Sequence, residues 1–91
     1  MADDDILARY VKKGVLRQYP ARAEARALVL EWLAGRFAPG RRYSEAEVNG
    51  LLAGHEIDHA TLRRYLIDAG LLDRAQGLYW RVERADPLAG A

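Results

Sequence analysis

Hydrophobic positions near the start of the chain recur at the spacing of a short helix. They share one helical face and are Ile6, Leu7, Tyr10 and Val11. Acidic residues at positions 3–5 suit the positive end of the helix dipole, and Lys12 and Lys13 suit its negative end. Gly14 is typical of a helix C-terminus, so we expect the helix to end there and the stretch VLRQY to form a short strand.

A second helical pattern follows Pro20, a residue well suited to the first turn of a helix because its missing N–H is not needed there. We expect this helix to run from about Ala21 to Arg36. Its predicted buried stripe consists of Leu28, Val29, Trp32, Leu33 and, just beyond the helix, Phe37. Pro39 and Gly40 then indicate a loop.

Two shorter helices come next, and both carry capping signals. Ser44 and Glu47 form an S-x-x-E capping box, and Gly54 ends the helix that follows. Asp58 is the predicted N-cap of the next helix, and Gly70 is the residue just past its end. The inward positions are Val48, Leu51 and Leu52 in the first of the two, and Leu62, Tyr65, Leu66 and Ala69 in the second.

The last patterned stretch, LLDRAQGLYWRV, alternates with a period of two. Leu78, Trp80 and Val82 alternate with Tyr79 and Arg81, which predicts two short strands around a turn at 76–77. Two helices followed by a hairpin are typical of a winged helix-turn-helix. We therefore predict a mainly α fold with a small β-hairpin, of the α+β class, with an extra N-terminal helix. Residues 1–82 would form this single domain, and 83–91 a flexible C-terminal tail.

Length and composition agree with one small folded domain. The chain has 91 residues, of which 51% are hydrophobic, enough for a core. Lys and Arg number 14 against 13 Asp and Glu, so the net charge of +1 supplies no overall attraction to nucleic acid. The absence of cysteine excludes disulfides and thiolate zinc sites. Neither a signal segment nor an apolar run of membrane length is present, so we expect a cytoplasmic protein with no membrane contact.

The segment HEIDH, residues 55–59, matches the H-E-x-x-H pattern of zinc peptidases. Such a site needs both histidines on one continuous helix. Here Gly54 precedes the first histidine and Asp58 indicates a new helix start, so we expect the histidines not to share a helical face. We interpret them as solvent-exposed residues near a turn, with a weak adventitious metal site as the alternative, and predict no bound metal or other cofactor. No nucleophile–base pair or phosphate loop stands out, so we predict no enzyme activity.

Four short motifs give the sequence a more specific resemblance. They are Y-S-E-x-E-V-N at Tyr43–Asn49, D-x-x-T-L-R-R at Asp58–Arg64, D-x-G-L-L-x-R at Asp68–Arg74, and G-x-Y-W at Gly77–Trp80. Over roughly residues 6–82 the sequence resembles the bacterial domain-of-unknown-function family 2087, which is winged-helix-like and is found alone and within transcriptional regulators. The resemblance implies a regulatory role and no established activity.

The outward face of the second capped helix holds the candidate DNA-binding residues. An arginine there could bond both acceptors of a guanine edge, and a small apolar side chain could touch a thymine methyl. Arg41 and Arg42, ahead of the capping box, are candidates for phosphate contact. The candidate base-contacting residues are Arg63, Arg64, Ala60 and Ile67, with His59 at the margin. The alternative is that Arg63 or Arg64 pairs with a nearby acid such as Glu47 or Asp68 and fixes one helix against the next.

Together these observations predict a DNA-binding transcriptional regulator of unknown target. The alternative is a winged-helix module that binds another protein and not DNA, which the near-zero net charge and the outward Ile67 favour. The expected partners are double-stranded DNA, a second copy of the chain, or another protein. The first helix, with its apolar face, is the candidate dimer element, and packing on the core is its alternative role.

Overall fold

The computed structural model describes residues 3–82, and the predicted tail at 83–91 lies outside the described residues. The prediction of an α+β fold is confirmed, because helices alternate with two small antiparallel sheets. The elements, in chain order, are α1 (Asp3–Tyr10), β1 (Val11–Lys12), β2 (Val15–Leu16), α2 (Ala23–Ala34), β3 (Arg42–Ser44), α3 (Glu45–Leu52), α4 (His59–Asp68), β4 (Leu72–Ala75) and β5 (Leu78–Arg81).

The N-terminal helix is shorter than its apolar pattern predicts, because the chain turns back as a hairpin. Strands β1 and β2 pair antiparallel, and the two residues between them, Lys13 and Gly14, have φ angles of 52° and 76°. Two positive φ angles match the right-handed twist of a two-residue hairpin. The prediction that Lys12 and Lys13 close the helix is therefore wrong, whereas the strand predicted after Gly14 is confirmed at 15–16. Leu16 in β2 is completely buried and belongs to the main hydrophobic core.

Helix α2 begins later than Pro20 suggests. Pro20 is buried in the segment before the helix, and the N-cap residue is Arg22, whose side chain makes no capping bond. The predicted stripe is confirmed at Val29 and Leu33, but Leu28 and Trp32 are only half-buried. Because α2 contacts both α1 and α4, its buried face is wider than one stripe. It also includes Ala25, Leu30 and Ala34.

Both predicted caps are confirmed. The Ser44 hydroxyl accepts from the Glu47 N–H at 3.2 Å, and the Glu47 carboxylate accepts from the Ser44 N–H at 3.0 Å. Asp58 accepts from the N–H of Thr61. At the far end of α4, Gly70 has a φ of 76°, and its N–H and that of the next residue close a Schellman-type end on the carbonyls of residues 67 and 66. Ala69, predicted to face inward, is the exposed C-cap residue instead.

The second sheet contains the predicted hairpin and one strand that the sequence pattern did not reveal. Its strand order is β3-β5-β4, so the unpredicted β3 lies beside the last strand of the hairpin. The turn predicted at Gln76 and Gly77 is confirmed, with φ angles of 52° and 79°. Tyr43 and Tyr79 are paired on the inner face and are 5% and 4% exposed. Leu78, on the outer face, is 41% exposed.

The core lies where α2, α3 and α4 meet the inner face of this sheet. Phe37 packs edge-on against Tyr43, with ring centroids 5.2 Å apart. The fully buried aliphatic side chains come from β2, the three helices and β4, and are Leu16, Val29, Leu33, Val48, Leu52, Leu62, Leu66 and Leu72. Along residues 3–82, no helix has both the length and the apolar character needed to cross a bilayer.

Candidate nucleic-acid interface

An open hollow of about 350 Å³ lies between the exposed side of α4 and the first strand of the hairpin. Four of the predicted DNA-contacting residues, Ala60, Arg63, Arg64 and Ile67, line it together. The strand adds Arg74 from β4, and the remaining lining residue is Asp68. The fold therefore brings a helix face and a hairpin arginine to one concave, partly basic surface.

Arg64 projects from α4 into solvent, as the helical pattern predicts. Its guanidinium carbon lies 5.9 Å from the centre of the Tyr65 ring. Within the part of the chain that the structure describes, no hydrogen bond or ion pair holds this guanidinium. Its N–H groups therefore face the solvent at the rim of the hollow, where a ligand could accept from them.

Arg63 was predicted to face outward, but in the structure it does not. Its side chain is only 19% exposed, and it donates to the side-chain oxygen of Asn49 on α3. A second guanidinium nitrogen lies 3.7 Å from a carboxylate oxygen of Glu45, which also accepts from the Tyr79 hydroxyl at 3.3 Å. Arg63 therefore has the alternative role that the sequence left open, because it pairs with a nearby acid. That acid is Glu45 and not Glu47. Arg63 thus joins α4 to α3 and to β5.

Asn49 and Arg74 are the residues whose roles the sequence reasoning missed. Asn49 bonds a side chain on α4, and no pattern within α3 indicates a partner 14 residues away. Arg74 pairs across the sheet with the buried Tyr79, so it lies on the helix side of the sheet and can line the α4 hollow. The sequence could have indicated this placement of Arg74. A two-residue turn at 76–77 puts Arg74 opposite Tyr79, so both side chains lie on the same side of the sheet.

Arg41 and Arg42 lie apart from the α4 hollow. Arg41 is ion-paired with Glu47 at 3.2 Å, while its guanidinium carbon lies 4.9 Å from the Tyr43 ring centre. Arg42 stacks on Trp80, 4.4 Å from the ring centre, on the outer face of the sheet. Phosphate was predicted to approach the start of α3. There, the capping box of Ser44 and Glu47 already bonds backbone N–H groups. These bonds, led by that from the Ser44 N–H, lower the pKa of Glu47 below its usual value.

The two histidines of HEIDH are separated as expected, since His55 lies in the turn before α4 and His59 is the first residue of the helix. His59, at the margin of the α4 face, has a 42% exposed side chain, and its Nδ1 lies 3.9 Å from a carboxylate oxygen of Asp58. Across residues 3–82, no three His, Cys, Asp or Glu side chains are grouped as metal ligands.

The prediction that His55 is solvent-exposed is wrong. Its Nδ1 accepts the backbone N–H of Leu16 at 2.9 Å, and its ring meets Trp32 edge-on, with centroids 5.7 Å apart. Burial, together with the positive charge of Arg36, lowers the pKa of the imidazole below its ordinary value. His55 is a structural residue that ties the N-terminal hairpin to the turn before α4.

Comparison with known proteins identifies one family. A family model described as an uncharacterized protein conserved in bacteria matches residues 15–81. The match extends from β2 to β5 and therefore includes α4, the hairpin and the hollow between them. No curated protein and no solved structure matches the chain at a significant level.

Proposed function

We propose that this chain, which belongs to the bacterial family DUF2087, is a winged helix-turn-helix protein that acts in the cytoplasm as a DNA-binding transcriptional regulator. Its target is unknown. Double-stranded DNA is the proposed partner, bound on the face formed by α4 and the β4–β5 hairpin. Family membership supplies only the bacterial setting, because the family is uncharacterized.

The order of the elements supports the winged-helix assignment. From α2 onward the chain runs helix, strand, helix, helix and hairpin, and the early strand joins the hairpin as its third strand. In a winged helix-turn-helix, the second helix of the pair enters the major groove and the hairpin lies beside it. Helix α4 is the second helix of the α3–α4 pair and comes directly before β4, which supports assigning it that role.

The hollow between α4 and β4 is the observation that carries the proposal. Arg64 and Arg74 supply guanidinium groups from two elements, and each could bond a guanine edge or a phosphate. Ala60 and Ile67 line the same hollow and offer apolar surface suited to a thymine methyl. Asp68 opposes this charge, so affinity from one copy would be modest.

Arg63 has a supporting role in this proposal. Because its guanidinium is engaged by Asn49 and Glu45, it holds the orientation of α4 and does not read a base. Contacts of Arg41 and Arg42 with phosphate, and a contact of His59 with DNA at the margin of the α4 face, stay predictions. All three have exposed or partly exposed side chains, yet two of them are already stacked on aromatic rings.

We propose a binding role and not a catalytic one. The Ser44 hydroxyl caps α3, and the His55 Nδ1 accepts the Leu16 N–H. A serine nucleophile and a histidine base would each need these atoms for the reaction. Both side chains are instead explained by the bonds that hold the fold.

The test is fluorescence anisotropy of a labelled duplex from the region upstream of the protein's own gene, titrated with protein at several salt concentrations. Specific binding should weaken steeply with salt yet survive competitor DNA. Arg64→Glu and Arg74→Glu should each weaken binding by roughly tenfold or more, because each replaces a contact worth about 1–3 kcal/mol with a repulsive charge. The matched control is Lys12→Glu, an exposed residue of the N-terminal hairpin.

Two results would count against the proposal. An equal loss of affinity in Lys12→Glu would show a general charge effect and argue against the α4 face as the binding site. An absence of binding at low salt would argue against DNA binding and favour the alternative function, a winged-helix module that binds another protein. The net charge of +1 and the 41% exposure of Leu78 favour this alternative. It predicts a defined complex that Ile67→Glu disrupts while Arg64→Ala does not.

A further inference from the structure

The outer face of the three-stranded sheet carries an ordered row of three different side chains. Arg42 on β3 pairs with Trp80 on β5, and Trp80 pairs with Asp73 on β4. Directly opposite residues of antiparallel strands project to the same side. Across the sheet, the row therefore consists of a basic residue on β3, an aromatic residue on the central strand β5 and an acidic residue on β4.

A second row lies beside the first on the same face. Ser44, Leu78 and Ala75 are directly opposite one another, and Leu78 occupies the central strand. Leu78 is 41% exposed, although a large aliphatic side chain gains from burial. The inner face is different, because Tyr43 and Tyr79 there are buried in the core. The outer face thus has an apolar centre with opposite charges at its two edges.

The charged edges are held in defined positions. The Arg42 guanidinium lies over the Trp80 ring, 4.4 Å from its centre, and Arg42 is exposed. Asp73 is also exposed, and its carboxylate accepts the N–H of Arg74 at 2.7 Å. Neither charge forms an ion pair within residues 3–82. Both charges are therefore open to an ion pair with another molecule.

We propose that this outer face binds a second copy of the chain about a two-fold axis parallel to the strands. Such a rotation places β3 of one copy opposite β4 of the other and leaves the two β5 strands facing each other. Arg42 of each copy then meets Asp73 of its partner, and Leu78 meets Leu78 near the axis. The row is self-complementary in this one arrangement, which is the requirement for an isologous dimer.

The dimer is weak because its face is small. Three strands spaced about 4.8 Å apart, each with about four residues of 3.4 Å, span roughly 15 Å by 14 Å. Stable interfaces bury roughly 800 Å² on each partner, well above what this face offers. We therefore expect a monomer–dimer equilibrium in the micromolar to millimolar range. Salt should weaken it, since the edge pairs are exposed.

This inference does not rest on DNA binding. Arg74 and the α4 hollow lie on the other side of the sheet, so the dimer leaves them open. It also places the contact between copies on the sheet, in place of the first helix that the sequence suggested as a dimer element. If DNA is bound, two joined copies present two α4 faces, and Arg42, paired with Asp73 at the dimer edge, then makes no phosphate contact.

Charge exchange between variants tests the arrangement, with sedimentation equilibrium of the full chain at low salt as the readout. Arg42→Asp and Asp73→Arg should each weaken self-association by roughly tenfold or more, because both edge pairs become like-charged. An equimolar mixture of the two variants should associate as the wild type does. In the mixed dimer, the aspartate introduced in one copy faces the arginine introduced in the other, and the second edge keeps its original pair of Arg42 with Asp73.

The matched controls carry the same charge changes elsewhere, as Lys12→Asp and Glu24→Arg, and should associate like the wild type. Leu78→Glu is an independent variant, which places two like charges at the axis and should abolish the dimer. A wild-type chain that stays monomeric at millimolar concentration would overturn the proposal. So would a mixture that fails to recover association while circular dichroism shows both variants folded. Equal weakening in the controls would show only a general charge effect and would likewise overturn it.

Discussion

The guanidinium of Arg63 on α4 donates a hydrogen bond to the side-chain oxygen of Asn49 on α3, across 14 positions of the chain. The bond lies in a partly buried node that also includes Glu45 and Tyr79, so it joins two helices and the central strand of the sheet. The neighbouring Arg64 points to solvent. Two adjacent arginines of the same helix therefore have different physical roles, one in holding α4 and one in presenting a positive charge.

The first prediction separates these two arginines. Arg63→Met keeps the aliphatic stem but leaves Asn49 and Glu45 without their charged partner, so it should lower the free energy of unfolding by about 2 kcal/mol. Arg64→Met, the matched control on the exposed face, should change it by less than about 0.5 kcal/mol. Urea unfolding followed by far-UV circular dichroism measures both. If both variants changed the free energy of unfolding equally, the contacts of Arg63 with Asn49 and Glu45 would contribute nothing to stability.

A double-mutant cycle tests the Arg63–Asn49 bond directly. Combining Arg63→Met with Asn49→Ala should destabilise by less than the sum of the single changes, with a coupling of about 1 kcal/mol, because both remove the same hydrogen bond. Additive losses would show that the two side chains contribute independently.

The second prediction concerns the capping box at the start of α3. Ser44→Ala removes the acceptor of the Glu47 N–H, so it should destabilise the protein by about 1 kcal/mol. For a domain of this size, that loss lowers Tm by about 5 °C. Ser44→Asp retains a capping oxygen and is the control, with an expected Tm near that of the wild type. Thermal unfolding by circular dichroism measures both, and a Ser44→Ala protein as stable as the wild type would contradict the prediction.

The third prediction is a pH dependence of stability that depends on His55. Its imidazole must be neutral to accept the Leu16 N–H, and burial lowers its pKa below the ordinary value of 6.5. As pH falls below about 6.5, the unfolded chain takes up a proton that the folded chain resists. The His55 contribution to stability should therefore be complete above that pH and decrease as pH falls towards the lower pKa of the folded state.

Urea unfolding between neutral and mildly acidic pH measures this slope. His55→Gln should remove the part of the slope that lies just below pH 6.5, at the expense of some stability at neutral pH. His59→Gln, at the exposed start of α4, is the control that shows whether the effect belongs to His55. A His55→Gln protein with an unchanged slope would contradict the assignment. NMR titration of the imidazole signals would give the direction of the His55 pKa shift independently.

The fourth prediction concerns the turn between β4 and β5. Gln76 has a φ of 52°, a conformation that asparagine and glycine adopt more readily than glutamine. Gln76→Asn should therefore stabilise the protein by about 0.5 kcal/mol. Gly77→Ala, at a φ of 79°, should destabilise it by about 1 kcal/mol, because a Cβ is disfavoured there. Thermal unfolding measures both changes, and a stabilising Gly77→Ala would show that the turn has a different conformation.

Signals that act within a few residues could be read from the sequence and are confirmed. The Ser44–Glu47 box, the Asp58 cap and the Gln76–Gly77 turn each depend on side chains and backbone groups close along the chain. The same locality explains the separation of the two histidines in HEIDH, because a cap residue lies between them. The family motifs are local strings too, and the family they indicate is confirmed over residues 15–81.

Contacts between distant segments were decided by the tertiary structure alone. Strand β3 pairs with β5, where Tyr43 lies opposite Tyr79, and the His55 ring accepts the N–H of Leu16, 39 positions away. The helical periodicity of α4 predicts that Arg63 faces solvent. In the structure, α3 packs close enough for Arg63 to donate a hydrogen bond to Asn49. The sequence by itself determined where α3 and α4 start and where the chain turns between β4 and β5, but not the end of α1 or the start of α2. The packing of those elements determined which charged side chains became structural and which stayed at the surface, because that choice depends on neighbours that periodicity does not encode.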